Sequence, residues 1–175
     1  TRWHIALAYE LFTVTSCINR CRIRGAYLCD ETGSGKTIVT LNLISRMLIT
    51  YNKSRNYCSK ATLLIVPINL PMQWYEEIER VLKDVVVIKL LKTNDLKGLD
   101  MEQLKNANIV LTTINFIQQN KTYNDILNGF TNIKSNMKNS RALFHSLSRN
   151  KNITLPLLQL IHWNRIVVDE IHEIK

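Results

Sequence analysis

Apolar runs of strand length alternate with longer segments of helical period along most of the chain. The runs cover residues 61–66, 85–91, 108–112 and 165–168, and they are mostly continuous apolar stretches. Strands of this kind are typical of a parallel sheet that is covered on both faces. The pattern therefore predicts an α/β fold, a parallel sheet with helices on both faces.

The segments around these runs predict the remaining elements. An opening helix is predicted over residues 3–16, and a short buried strand over 25–29 that leads into a glycine-containing turn. Pro71 is placed at a first helical position, where its missing N–H would have no partner anyway. Three further helices are predicted, over 36–50, 71–82 and 100–107.

Residues 118–155 interrupt this alternation of strands and helices with a stretch rich in Asn, Lys and Ser. The stretch is too long for an ordinary loop in a compact domain, so we interpret it as an insertion. Five apolar residues fall at helical spacing and predict an amphipathic helix that packs on the domain or on a partner. They are Tyr123, Leu127, Phe130, Ile133 and Met137.

Composition fits one globular domain with a basic surface. The chain has 175 residues, of which 46% are hydrophobic and 21% charged, with a formal charge of +9 and a pI near 9.5. A charge of this sign attracts polyanions, so nucleic acid is the leading class of partner. A solvated basic surface without a ligand explains the charge equally well.

The four cysteines do not form paired CxxC motifs, and no secretory leader precedes them. We expect reduced thiols in an intracellular protein, although Cys17 and Cys21 could form a metal pair on a helix. The apolar runs are far shorter than the ~20 residues that cross a bilayer, so we expect a soluble protein without a membrane partner.

The segment GAYLCDETGSGKT, residues 25–37, has the strand, turn and helix context of a phosphate-binding P-loop. Main-chain N–H groups in such a turn close around phosphate oxygens, while Lys36 reaches the β and γ phosphates of ATP and Thr37 binds Mg²⁺. A chance glycine turn is the alternative. Asp30 stands where the general pattern has a glycine. The predicted nucleotide-binding residues are Thr32, Gly33, Ser34, Gly35, Lys36 and Thr37.

The segment CDETGSGKT resembles the first motif of Swi/Snf-like ATPases, superfamily 2 helicase-type motors in which an Asp-Glu pair replaces the early glycine. LLIVPINLPMQWYEEI (63–78), IVLTTINFI (109–117) and HWNRIVVDEIHEIK (162–175) resemble later motifs of that family in the same order. The resemblance spans most of the chain. It implies that residues 1–175 form the N-terminal RecA-like ATP-binding lobe, with Trp74 and Trp163 bracing the motifs.

A carboxylate pair follows the last predicted strand, at the sheet edge where ligands of α/β folds bind. Asp169 is expected to hold the Mg²⁺ that Thr37 also binds, whereas a solvated acid pair is the alternative reading. The resemblance implies that Glu170 orients and deprotonates the attacking water. It also implies that His172 couples the site to nucleic acid or to a second lobe.

The resemblance further implies contacts with the nucleic-acid backbone at Pro67, Asn69, Thr112 and Thr113. The family usually has an adenine-reading glutamine ahead of its first motif, and His4 lies near that position instead, so adenine specificity is not predicted. Five basic residues of the insertion either extend these contacts along the nucleic-acid backbone or increase solubility, and both interpretations stay open. They are Lys134, Lys138, Arg141, Arg149 and Lys151.

These expectations combine into DNA-dependent ATP hydrolysis that drives translocation on duplex DNA. An RNA or strand-separating helicase of the same superfamily is one alternative, and a non-catalytic nucleotide-binding interaction module is another. The resemblance implies a second RecA-like lobe that completes the site, so the 175 residues alone are expected to bind ATP and hydrolyse little of it. A nuclear location is expected for a cellular eukaryote, and a virion or replication site for a virus.

Overall fold

The structure is a computed structural model that describes residues 27–31, 33–46, 58–96, 99–121, 123, 158 and 161–171. The predicted opening helix, the Cys17 and Cys21 pair and His4 lie outside these residues. The same holds for most of the predicted insertion, of which the structure describes residues 118–121 and 123.

Four strands and four α-helices make up the described part of the chain. The helices are α1 (Lys36–Arg46), α2 (Pro71–Val81), α3 (Met101–Asn106) and α4 (Ile114–Gln119). The strands are β1 (Cys58–Val66), β2 (Val87–Leu90), β3 (Ile109–Thr113) and β4 (His162–Val168). A short 3₁₀ helix covers Thr93–Leu96.

All four strands are parallel and lie in the order β2-β3-β1-β4. Val66 of β1 pairs with Thr113 of β3, and Ile65 of β1 pairs with Val168 of β4. Leu90 of β2 pairs with Thr112. The carboxyl ends of the four strands therefore meet at one edge of the sheet.

The two central strands are buried because neighbouring strands and packed side chains surround them. All five residues of β3 are buried, and Leu63 and Leu64, on opposite faces of β1, are both buried. One face carries a hydrophobic cluster to which α3 and α4 contribute. Its buried members include Ala61, Leu63, Leu90, Leu104, Val110, Phe116 and Tyr123.

Local polar contacts fix the ends of the short helices. Asp100 accepts a hydrogen bond from the Gln103 N–H, and the Gln103 side chain accepts one from the Asp100 N–H. This reciprocal capping box satisfies N–H groups that have no partner inside helix α3. Thr113 caps α4 in a similar way by accepting from the Phe116 N–H at 3.0 Å.

Most predicted elements are confirmed, including a helix that begins at Pro71. Strand β1 begins three residues earlier than the predicted 61–66, and β4 three residues earlier than 165–168. The predicted buried strand over 25–29 is wrong for its described residues: 27–29 are not in a strand, and the side chain of Tyr27 is 79% exposed. Helix α4 was not predicted.

The chain divides into two compact units. Residues 1–48 and 73–84 form one, and residues 49–72 and 85–175 form the other, which contains the whole described sheet. In the first unit, Trp74, Ile78 and Leu82 recur every four residues and are buried, as the apolar face of α2 predicts. None of the described helices is both long and apolar enough to span a membrane.

Candidate functional site

The turn before α1 has the backbone conformation that its glycines permit. Gly33 has a φ of 82° and Gly35 a φ of 88°, in the region that side chains with a Cβ rarely adopt. The Ser34 N–H donates to the Glu31 carbonyl at 3.3 Å, and the Val39 N–H donates to the Gly35 carbonyl at 3.1 Å. The chain therefore passes from a tight turn directly into the first turn of a helix.

The side chain of Lys36 folds back over this turn. Its Nζ donates to the carbonyls of Asp30 and Glu31, both at 2.9 Å. The Asp-Glu pair that replaces the early glycine thus holds the ammonium through main-chain oxygens. The two carbonyls are neutral, so these hydrogen bonds place no negative charge beside the ammonium at the helix N-terminus.

Two observations concern the room and the hydrogen-bond donors that the turn offers to a ligand. The hydroxyl oxygen of Ser34 is buried and has no hydrogen-bond partner among the described residues, which is costly unless a ligand or water supplies one. A Cβ added to Gly33 would have no atom within 4 Å, so open space adjoins the turn. An acceptor oxygen could use both the Ser34 donor and this space.

Thr37 lies in the first turn of α1 and is partly buried. The carbonyl of the preceding Lys36 accepts a hydrogen bond from the Thr40 hydroxyl at 2.9 Å, which adds a side-chain bond to the helix start. Thr32, the remaining predicted residue of the turn, lies outside the described residues.

The second group of predicted residues gathers at the carboxyl edge of the sheet. Pro67 and Asn69 follow β1, Thr113 ends β3, and Asp169 and Glu170 follow β4. The register of the parallel strands brings these segments side by side, because β1 lies between β3 and β4. Ligands of open α/β sheets bind at this edge.

The carboxylate pair forms a sharp turn at this edge. The Asp169 N–H donates to the Ile65 carbonyl at 2.9 Å, which continues the ladder between β1 and β4 by one residue. The Glu170 N–H donates to Asp169 Oδ1 at 3.1 Å, and Glu170 has a φ of 50°. A glutamate in this left-handed region carries a strain of about 1 kcal/mol or more, and such strain concentrates at functional sites.

The predicted nucleic-acid contacts differ in exposure. Asn69 is exposed in the turn where the Leu70 N–H donates to the Pro67 carbonyl at 3.1 Å, while Pro67 itself is buried. Thr112 is fully buried, and its hydroxyl donates to the Leu90 carbonyl at 2.8 Å. The Thr112 hydroxyl is therefore occupied within the sheet, and a contact of this residue with the nucleic-acid backbone stays a prediction.

Sequence reasoning assigned no role to Arg165 of β4. Burial lowers the pKa of its guanidinium, and its buried Nη2 has no hydrogen-bond partner among the residues that the structure describes. A buried guanidinium N–H group that lacks a partner is costly, and perturbed groups of this kind are common at functional sites. The nearest signal in the sequence is its position four residues before Asp169. His172 lies outside the described residues.

Within the described ranges, no three His, Cys, Asp or Glu side chains gather as a group that could hold a metal ion. Cys29 is an exposed free thiol. Of the predicted metal ligands, Thr37 and Asp169 are both partly buried.

The parallel sheet and its helices form an α/β lobe of the RecA-like class. Residues 9–175 match the SNF2-related domain family, so the chain belongs to this family and is the N-terminal lobe of a Swi/Snf-like helicase-type ATPase. This confirms the family predicted from the four motifs.

Known relatives agree with this assignment. The chain is 31% identical to the DNA repair protein RAD5 of Debaryomyces hansenii and 29% identical to the DNA repair protein rad8 of Schizosaccharomyces pombe, with 93% and 87% of this chain covered. It is 28% identical over 87% of its length to an uncharacterized ATP-dependent helicase of Schizosaccharomyces pombe. The chain spans 12 to 13% of these relatives.

Proposed function

We propose that this lobe binds Mg-ATP and is half of a motor that uses ATP hydrolysis to translocate along duplex DNA. The observation that carries the proposal is the turn before α1, in which Lys36 Nζ lies 2.9 Å from two main-chain carbonyls beside two glycines of positive φ. A positive charge, a buried hydroxyl donor and the start of a helix favour a phosphate together.

Each residue of the turn has a separate part in this proposal. Lys36 moves its ammonium from the Asp30 and Glu31 carbonyls to the phosphates, and Ser34 donates its hydroxyl to a phosphate oxygen. Gly33 and Gly35 allow the main chain to approach the phosphates. Thr32 contributes its main-chain N–H to the same contact. Thr37 and Asp169 hold Mg²⁺, which neutralises negative charge on the phosphates.

Glu170 is the general base in this proposal. It is exposed at the carboxyl edge of the sheet, and its left-handed backbone turns it away from the direction of β4. It orients water and accepts its proton, a role that needs a carboxylate within hydrogen-bond reach of the water. His172 couples this step to the nucleic acid or to the second lobe.

Duplex DNA is the proposed track because two relatives bear the name of DNA repair proteins. The turn at Pro67 and Asn69 and the N-terminus of α4 at Thr113 contact the phosphate backbone, while buried Thr112 positions this edge from inside the sheet. Backbone contacts position a protein without reading sequence, as a translocating motor requires. In a cellular eukaryote such a substrate places the protein in the nucleus, and in a virus it places the protein in the virion or at a replication site.

The proposal is tested in a protein that contains this lobe together with its second lobe. ATP hydrolysis is measured with duplex DNA, with single-stranded DNA and with duplex RNA, for the wild type and for Glu170→Gln. We expect stimulation by duplex DNA, loss of turnover of at least ~10²-fold in Glu170→Gln, and unchanged nucleotide affinity, because general bases contribute roughly 10² to 10⁴ in rate.

The outcomes separate the alternatives. Stimulation by RNA in preference to duplex DNA would identify an RNA helicase, and nucleotide binding without any turnover would identify a non-catalytic module. Turnover that survives in Glu170→Gln would exclude Glu170 as the base.

A further inference from the structure

The segment after β2 reaches the same sheet edge as Thr113 and is held rigidly there. Oδ2 of Asp95 accepts hydrogen bonds from the main-chain N–H groups of Leu91 and Lys92, both at 2.8 Å. Because β2 lies beside β3 in the sheet, this turn is the next feature along the edge beyond the end of β3. It was assigned no role by the sequence motifs.

A second set of hydrogen bonds ties this turn to the end of α4. Thr93 Oγ1 accepts from Asn120 Nδ2 at 2.9 Å and lies 3.3 Å from Asn120 Oδ1, to which it can donate. Asn120 Oδ1 also accepts from the Tyr123 N–H at 3.0 Å, which fixes the orientation of the amide. The two segments are thus joined through a directly bonded pair.

A lysine adjoins each member of this pair in the sequence. Lys92 immediately precedes Thr93 and Lys121 immediately follows Asn120, and both lysines are exposed. Neither forms a salt bridge with any residue that the structure describes. Asp95 is the carboxylate of this turn, and it already accepts two main-chain N–H groups. Two exposed cations on joined segments add to the positive potential at this edge, and such a potential attracts a polyanion.

We propose that Lys92 and Lys121 form a two-lysine phosphate clamp that extends the backbone track of Asn69 and Thr113 by one strand, to the end of β2. The proposal rests on the proposed binding of duplex DNA. The clamp contacts phosphates and not bases, because ammonium groups at a sheet edge act as point charges without a directional pattern of donors. It adds affinity and salt dependence without sequence preference.

The test compares two charge-matched double variants of a protein that contains this lobe together with its second lobe. Lys92→Gln with Lys121→Gln removes the clamp, whereas Lys60→Gln with Lys83→Gln removes two exposed lysines elsewhere, one of them near the amino end of β1. Duplex binding is measured by fluorescence anisotropy over a range of salt concentrations. We expect the clamp variant to lower the slope of log K against log salt by about 0.9 for each phosphate that is no longer neutralised.

The control variant should keep the wild-type slope, and Lys92→Arg with Lys121→Arg should restore binding, because arginine keeps the charge. Circular dichroism confirms that each variant is folded. If the clamp and control variants change the slope equally, the clamp is wrong while duplex binding stands. If the wild-type two-lobe protein binds no duplex at any salt concentration, both the clamp and the proposed duplex function are overturned.

Discussion

Lys36 is the residue on which nucleotide binding depends in our proposal. Replacing it with alanine removes a cation from a turn and leaves the buried core intact, since its contacts are two carbonyls near the surface. We predict that Lys36→Ala abolishes Mg-ATP binding and preserves the fold. Titration with a fluorescent nucleotide measures the first, and circular dichroism the second.

Lys60→Ala is the matched control, because Lys60 is equally charged, exposed, and located near the amino end of β1. It should bind nucleotide as the wild type does. Wild-type affinity in Lys36→Ala would refute the assignment of the turn as a P-loop.

The sequence predicted Lys36 at a glycine turn before a helix and Asp169 after a strand, and the structure has both residues in those positions. Their roles in a site stay predictions. The left-handed conformation of Glu170 and the buried hydroxyl of Ser34 depend on the folded backbone, so no pattern signalled them. The burial of Thr112 likewise depends on the neighbouring β2, whose carbonyl accepts its hydroxyl.

Strands and helices with strong periodicity were predicted to within a few residues, because the apolar side chains that they bury recur at regular positions in the sequence. The described residues of the predicted strand over 25–29 show the limit of this reasoning. A short apolar run becomes a strand only when a neighbour supplies a hydrogen-bonded ladder, and residues 27–29 have none in the described sheet. Helix α4 was not predicted, because a helix of six residues is too short to show a clear helical period of apolar residues.

Contacts between the two ends of the predicted insertion could not be predicted from local patterns either. The Leu158 N–H donates to the Tyr123 hydroxyl at 3.0 Å across 35 residues, and the Leu158 carbonyl accepts from Trp163 Nε1 at 2.9 Å. Tyr123 is fully buried against Phe116, with ring centroids 5.3 Å apart. The bond between Leu158 and Tyr123 joins the segments on either side of residues 124–157.

We predict that Tyr123→Phe destabilises the domain by about 1 to 3 kcal/mol, because it leaves the buried Leu158 N–H without its acceptor while keeping the aromatic ring. Urea denaturation followed by circular dichroism measures the change. Tyr75→Phe is the control at neutral pH, since Tyr75 is only partly buried and its pKa is raised chiefly by a hydrogen bond to Glu79. A surface change of this kind should leave the urea midpoint close to that of the wild type. Equal effects of the two variants would contradict a structural role for the Tyr123 hydroxyl.

At the scale of the whole molecule, the positions of the positive groups matter as well as the net charge of +9. Positive groups lie at the carboxyl edge of the sheet, where Lys92 and Lys121 adjoin the proposed backbone contacts. Composition alone could not distinguish this arrangement from a solvated basic surface. Family membership adds the expectation of a larger motor, as the chain spans 13% of its RAD5 relative from Debaryomyces hansenii.

We therefore predict that the 175-residue chain alone binds ATP but hydrolyses it little, even with duplex DNA present. Phosphoryl transfer depends on charge stabilisation around the γ-phosphate, and an arginine finger contributes roughly 10³ to 10⁵ in rate in P-loop enzymes. Our proposal assigns that arginine to the second lobe, whereas Lys36, Thr37, Asp169 and Glu170 belong to this one. Losing ~10³ in rate corresponds to about 4 kcal/mol of barrier, which places turnover near the limit of detection.

Multiple-turnover assays with and without duplex DNA measure this directly, with Lys36→Ala, which should bind no nucleotide, as the control for contaminating ATPases. Hydrolysis that persists in Lys36→Ala comes from a contaminant and is subtracted. Addition of the second lobe as a separate chain should raise the Glu170-dependent rate, because it returns the missing cation to the γ-phosphate. Strong Glu170-dependent turnover by this chain alone would mean that the chain supplies the cation itself or from a second copy, and the division of the active site between two lobes would be wrong.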